Sequence, residues 1–267
     1  MDNEQTKALT NDWLEFHRLT MRGIRALISG APGFHATMTT NSALLLSGEP
    51  VVDLNVLMIG PDPDAEQFLK AGTALAVERQ LPLLVLITPD VGGDLTTSAQ
   101  NASLIAGGKL PLMVLRTTEP LQLGSDCKIE AVTDPQSSAL AGDIQASAFE
   151  LPRASVSRAL DASRTAGEAV TFIGFRNGKP LAALTAVRSH SSVGVWTMAT
   201  LPGHQREGIG RALLTRVLEK YRQEGANCFY LSASEAGRPL YESIGFKTVG
   251  EYGIWILPND PKASAMA

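Results

Sequence analysis

Gln205-Arg206-Glu207-Gly208-Ile209-Gly210-Arg211 is the stretch of this 267-residue chain whose residue types and spacing most directly imply chemistry. Gly208 and Gly210 let backbone approach a ligand with no Cβ in the way. The apolar repeat at Ile209, Leu213, Val217 and Tyr221 predicts a helix that starts at these glycines. The first N–H groups of a helix lack an internal acceptor and lie at the positive end of its dipole. A glycine turn feeding such an end reads as an anion site, for phosphate above all. Three rival readings exist. Plain turn glycines are the simplest. A dinucleotide fingerprint needs a third glycine where Leu213 stands, and a Walker loop needs Gly-Lys-Ser/Thr, which the chain does not contain.

The surrounding elements must position this turn. Residues 193–201 form an apolar, β-branched run that predicts a strand. The helix after the glycines ends at Gly225, a C-cap residue. Residues 228–232 predict a second strand, residues 238–244 a short helix closed by Gly245-Phe246, and residues 246–257 a β-rich end. The order is strand, glycine turn, helix, strand, helix, strand.

With these elements in place, the sequence resembles the GNAT superfamily of N-acetyltransferases. Gln205-x-x-Gly208-x-Gly210 matches that family's acyl-CoA motif, Arg/Gln-x-x-Gly-x-Gly/Ala. Thr200-Leu201-Pro202 resembles its strand exit, and Leu240-Tyr241-Glu242-Ser243-Ile244-Gly245-Phe246 its later Tyr-x-x-x-Gly-Phe signature. The resemblance covers residues 126–258. It implies an α/β fold with a mixed sheet, the acyl-CoA N-acyltransferase fold. It also implies transfer of an acetyl group from acetyl-CoA to a primary amine by direct attack in a ternary complex, with no metal. The competing class is a non-catalytic acyl-CoA-binding sensor or scaffold.

The resemblance also implies roles. Backbone N–H groups of Arg206, Glu207, Gly208, Ile209, Gly210 and Arg211 would cradle the pyrophosphate, with side-chain help from Gln205 and Arg206. The backbone of Met198, Ala199 and Thr200 would pair with the pantetheine arm, one N–H polarising the acetyl oxygen. Tyr241 would protonate the departing sulfur, against the alternative of a core tyrosine. Ser234 joins the cofactor contacts, and with Ser232 could order a water. No carboxylate lies around Met198 to serve as base. Glu235 is the nearest acid, with a solvated loop residue as its simpler reading. Glu207 suits the helix dipole, Arg238 and Pro239 lie near the cofactor, and His204 reads as packing.

Upstream, residues 128–132 predict a strand, 137–149 and 154–164 helices, and 169–175 and 180–188 strands joined by the hairpin turn Asn177-Gly178. Residues 189–194 read as a polar loop. The N-terminal half shows a helix at 10–29, strands within 36–46 and at 51–59, a helix at 64–80 and a strand at 83–88. A helix at 95–106 follows, ended by Gly107-Gly108, and then a strand at 112–116. Val51 and Val193, Asp64 and Glu207, and Gly107 and Gly245 are offset by a nearly constant spacing, which suggests an internal duplication. Residues 1–125 therefore read as a degenerate GNAT-like domain and 126–267 as the complete one, in tandem; an unrelated α/β domain is the alternative. In the first domain Gly60-Pro61-Asp62-Pro63-Asp64 replaces the glycine motif with prolines and carboxylates, which disfavour phosphate.

Composition fits this picture. Apolar residues make up 44% and charged residues 19%, as in a packed globule. Net charge is −4, with 15 Lys/Arg against 14 Asp/Glu in residues 126–267, so a basic nucleic-acid surface is not expected. Cys127 and Cys228 read as buried free thiols, and the four histidines form no metal spacing. Neither a signal peptide nor a membrane-length apolar run is visible, so a cytoplasmic protein is expected. The expected partner is a small-molecule amine. A protein acceptor remains an alternative, and a homodimer is left open.

Overall fold

The computed structural model describes residues 3–91, 95–124 and 126–258, with side chains described from Asp12 onward. The chain forms two compact units, one of residues up to 112 together with those from 249, the other of residues 113–248.

The first unit contains α1 (Asn3–Ile28), β1 (His35–Met38), β2 (Ala43–Leu46), a 3-10 turn (Val52–Leu54), β3 (Asn55–Ile59), α2 (Ala65–Glu78), β4 (Leu83–Ile87), α3 (Thr96–Asn101) and the start of β5 (Ile105–Arg116). β1–β2 and β2–β3 are antiparallel, and β3–β4 is parallel across α2. Every residue of β2 and β3 is buried, the pattern of strands covered on both faces. Leu57, Leu69, Leu83 and Val85 centre the core here.

The second unit holds the rest of β5, then β6 (Lys128–Ala131), α4 (Pro135–Phe149), α5 (Arg153–Ala166), β7 (Val170–Arg176), β8 (Lys179–Ser189), β9 (Ser192–Thr200), α6 (Ile209–Gln223), β10 (Cys228–Ser232), α7 (Arg238–Ile244) and the first residues of β11 (Lys247–Leu257). β6 to β9 form an antiparallel meander, and β9 pairs parallel with β10. Successive strand residues face opposite sides. Ala182 and Leu184 pack with Leu213, Val217 and Tyr241 of α6 and α7, whereas Ala183 packs with Ala141, Ile144 and Val156 of α4 and α5.

Local signals explain the element ends. Asp134 caps α4 by accepting Ser137 N–H at 2.8 Å, with Pro135 opening the helix. After α6, left-handed Gly225 (φ 93°) lets its own N–H reach Arg222 O and Ala226 N–H reach Tyr221 O, both at 2.9 Å, a Schellman closure.

Three expectations are corrected. Residues 189–194 are not a loop: β8 runs to Ser189 and β9 begins at Ser192, with left-handed His190 (φ 54°) in a tight turn between them. The third N-terminal helix ends at Asn101, not at Gly107. Ser103 (φ 60°) takes the left-handed position, with Leu104 N–H donating to Ala99 O at 3.0 Å. Gly107 instead lies inside β5, where a Cβ would come within 2.8 Å of Ile254 Cγ2, a close approach that only glycine permits.

The units also differ from a linear cut at 125/126. Residues 121–124 lie on α6: Leu121 N–H donates to Glu219 Oε2 and Gly124 N–H to Thr215 Oγ1, both at 3.1 Å. At the other end, Gly253 to Leu257 of β11 pair antiparallel with Ile87 to Leu83 of β4, inside the first unit. Among the described residues no helix is long and apolar enough to cross a membrane.

Candidate active site

The parallel pair of the second unit comes apart. Cys228, Phe229 and Tyr230 pair with Ser192, Val193 and Gly194, and the register ends there. β9 nevertheless continues to Thr200 and β10 to Ser232, so each presents free backbone to the gap. Gly194 sits at the fork, where a Cβ would lie 2.7 Å from Tyr230 Cζ and 2.8 Å from Trp196 Nε1. Past the fork, Trp196 Nε1 and Ser232 Oγ are buried with no hydrogen-bond partner among the described residues, an arrangement that favours a bound water or ligand group. The equivalent pair in the first unit is closed to its end. Ile59 pairs with Ile87, and Thr88 N–H donates to Ile59 O at 2.9 Å.

β9 also carries a bulge. Its register against β8 passes from Ala199↔Ala183 to Trp196↔Thr185, so Thr197 and Met198 together oppose Leu184. Thr197 has φ 47°. For a β-branched residue this is a strained conformation that costs about 1–3 kcal/mol.

The glycine turn stands where the sequence places it. Arg206 (φ 65°) and Gly208 (φ 81°) are left-handed, and Gly208 is the N-cap of α6 without a side-chain cap. Left-handed residues near a helix start turn successive N–H groups to one side, an anion-binding concavity. Ala212 N–H reaches Gly208 O at 3.0 Å as the first turn closes. Gly210 packs tightly on β9: a Cβ would stand 2.9 Å from Thr200 Oγ1 and 3.1 Å from Met198 Cε. The turn is braced from outside. Arg176 Nη1 donates to Glu207 O at 3.0 Å, Arg211 Nη1 to Ser243 Oγ at 2.6 Å, and His204 Nδ1 lies 3.5 Å from Glu207 Oε2. Gln205 and Arg206 are exposed.

Tyr241 lies on α7, 8% exposed, edge-on to Phe246 at 6.0 Å between ring centroids. Burial pushes its phenol up to about 12. A Cβ on Gly237 would approach Tyr241 Cε2 to 3.0 Å and Ser234 Oγ to 3.2 Å, so these groups share one neighbourhood. Ser234 Oγ accepts Gly237 N–H at 3.2 Å and its carbonyl accepts Arg238 N–H at 2.9 Å, which makes it the turn into α7. Glu235 is exposed. Arg238 Nε donates to Glu242 at 2.8 Å, and Pro239 occupies the first turn of α7.

The structure thus gathers Met198 to Thr200, the turn 205–211 and the fork of β9 and β10 at one end of the second unit's parallel pair. The crevice outside the carboxyl ends of parallel strands is where open α/β sheets bind ligands. The sequence reading missed Arg176, Ser243, Trp196 and the Thr197 bulge, because each acts through a neighbour distant in sequence. Among the described residues no group of three or more His, Cys, Asp or Glu could hold a metal ion. Cys127 and Cys228 are buried and take part in no disulfide among the described residues.

Residues 141–246 match the model of the acetyltransferase (GNAT) family. A UPF0039 protein of Schizosaccharomyces pombe is 34% identical over 74 residues, 27% of this chain. That match spans 49% of the relative, so it covers about half of its length. A GCN5-related N-acetyltransferase from Kribbella flavida is similar in structure, with a TM-score of 0.66 at 16% identity over 91% of this chain and 97% of that one. A tandem GNAT protein from the clavulanic acid biosynthesis pathway is similar over 97% of both chains, with a TM-score of 0.57 at 11% identity. At such identities the structural likeness shows the fold alone. The chain has the GNAT fold, and its residues 141–246 match the model of the acetyltransferase (GNAT) family.

Proposed function

We propose that the second unit transfers the acetyl group of acetyl-CoA to a primary amine by direct attack. The observation that carries this reading is the fork of β9 and β10 with the glycine-capped start of α6 beside it. An extended pantetheine arm can pair with the free edge of β9 as an added strand would. Backbone N–H groups of Arg206 to Arg211 are the donors for the pyrophosphate, and Gln205 and Arg206 reach it from the exposed side.

In the reaction, the amine first loses a proton, to water or to Glu235 through water. Its nitrogen then bonds to the thioester carbon. A β9 N–H within Met198 to Thr200 stabilises the oxyanion. As the C–S bond breaks, the sulfur takes the Tyr241 phenolic proton, and the phenolate recovers a proton released by the new amide nitrogen. Ser234 holds the turn that carries this region.

The first unit is a degenerate copy in this reading. Its parallel strands are closed, and Asp62, where the glycine turn would be, is engaged by Thr39 and Asn41. The second reading, a non-catalytic acyl-CoA sensor, is favoured by Glu235, the nearest acid, being exposed. Free thiol released from acetyl-CoA with a polyamine or lysine-peptide acceptor would exclude it.

The deciding experiment is titration calorimetry of acetyl-CoA into the native protein and into Gly208→Asp. Native binding that the folded variant lacks supports the cradle. No native binding overturns the acyltransferase reading.

A further inference from the structure

A line of four polar side chains crosses the second unit from α4 to the bulge and on to β7. Gln145 Nε2 donates to Thr197 Oγ1 at 2.9 Å, Thr197 Oγ1 donates to Thr185 Oγ1 at 3.1 Å, and Thr185 Oγ1 lies 2.9 Å from Thr171 Oγ1. Gln145 is 2% exposed and Thr185 fully buried. A hydroxyl has one proton to give. Thr197 spends it on Thr185, so its lone pair is what Gln145 engages.

Both bonds end on the one residue of β9 held in the left-handed region, and they fix its side chain from two elements. α4 is a firm support: it is boxed at its start by Asp134 and Ser137, and its Ile144 and Ala141 pack on Ala183 and Ala199 beneath the bulge. Met198 follows directly. Thr197 and Met198 share Leu184 as their opposite residue on β8, and pairing with β10 has ended at Gly194. The direction of the Met198 N–H is therefore set by the torsions of Thr197.

We infer that Gln145 is a positioning residue for acyl transfer: through Thr197 Oγ1 it holds the bulge that aims the Met198 N–H at the thioester carbonyl. This rests on the reading of β9 as the strand that binds the thioester. Gln145 touches neither substrate in this scheme and acts only through Thr197.

The test reads polarisation of the bound thioester and needs no acceptor. Acetyl-CoA labelled with 13C at the acetyl carbonyl is bound to the native full chain, to Gln145→Leu, to Thr197→Val and to the double variant. Its carbonyl stretch is recorded by isotope-edited infrared spectroscopy, and affinity by calorimetry. A hydrogen bond lowers the stretching frequency. The expected native band lies below that of free acetyl-CoA. Each single variant moves it back towards the free value with affinity unchanged, and the double variant matches the singles, because both break one linkage. Thr197 is exposed, so Thr197→Val gives a reading even if Gln145→Leu does not fold. Bands that stay at the native position in the single variants, or shifts that add in the double variant, overturn the inference. A native band at the free value overturns it together with the oxyanion role of β9, while leaving the phosphate cradle standing. Absence of native binding removes the whole site.

Discussion

His17 Nδ1 accepts the Tyr252 hydroxyl at 3.2 Å, joining residues 235 positions apart within the first unit. His17 Nε2 lies 2.7 Å from the Asn41 carbonyl and must carry the proton, which leaves Nδ1 as the acceptor. The imidazole is fully buried, with the Trp13 and Tyr252 rings 4.9 Å apart beside it. Burial lowers its pKa below the ordinary 6.5. The Asn41 carbonyl opposes that shift, Arg18 adds to it and Asp62 opposes it.

The unfolded chain therefore takes up a proton at His17 before the folded one does, and stability falls as pH drops through 6.5. The melting temperature should decline across that range, and His17→Gln should flatten the decline. Tyr252→Phe should cost about 1–3 kcal/mol in denaturant unfolding, since it leaves Nδ1 buried without its donor.

A lower window belongs to Glu219. Hydrogen bonds from Arg222 hold its carboxyl at about 2, with Leu121 N–H and Gln223 adding to the effect. Its contribution is complete above the ordinary 4.5 and disappears as pH falls towards 2. Because Glu219 also fixes residues 121–124 to α6, Glu219→Gln should speed hydrogen exchange at the Leu121 amide while amides in β8 stay protected.

Tyr241→Phe should lower kcat about 100-fold, within the range for a lost general acid, with acetyl-CoA affinity unchanged. Burial keeps the native phenol protonated up to about 12. The pH–rate profile should therefore rise with deprotonation of the amine and show no alkaline fall that Tyr241→Phe removes.

Gly210→Ala should weaken acetyl-CoA binding for a packing reason. The new methyl would lie 2.9 Å from Thr200 Oγ1, whereas Met198 Cε at 3.1 Å ends a flexible side chain. Adding Thr200→Ala should recover part of the affinity in calorimetry. Gly208→Ala should differ, costing about 1 kcal/mol of stability through its left-handed torsion, which Thr200→Ala does not relieve.

What the sequence reveals tracks how local each cause is. β10 and α7 lie on residues 228–232 and 238–244 as expected, because an apolar run and a capping glycine act within a few residues. Gly107 misleads for the same reason. It resembles a helix stop, but Ile254 on another strand is what requires it. The free edge of β9 is anticipated only through the resemblance, which expects the pantetheine arm beside Met198 to Thr200; no local signal marks the fork itself. Left-handed Thr197 and its tie to Gln145, 52 residues earlier, leave no mark in the local pattern. The return of β11 to β4 is equally silent, because alternation in residues 249–257 says that a strand forms and not which strand it joins.

That return has a consequence for how the protein is made. The second unit is complete at residue 248, but the first needs Gly253 to Leu257 beside β4, with Tyr252 and Leu257 buried. On the ribosome the first unit emerges first and is finished last, its open β4 edge exposed through most of synthesis. Nascent chains halted before residue 249 should expose the β4 region to protease while the meander of the second unit already resists it.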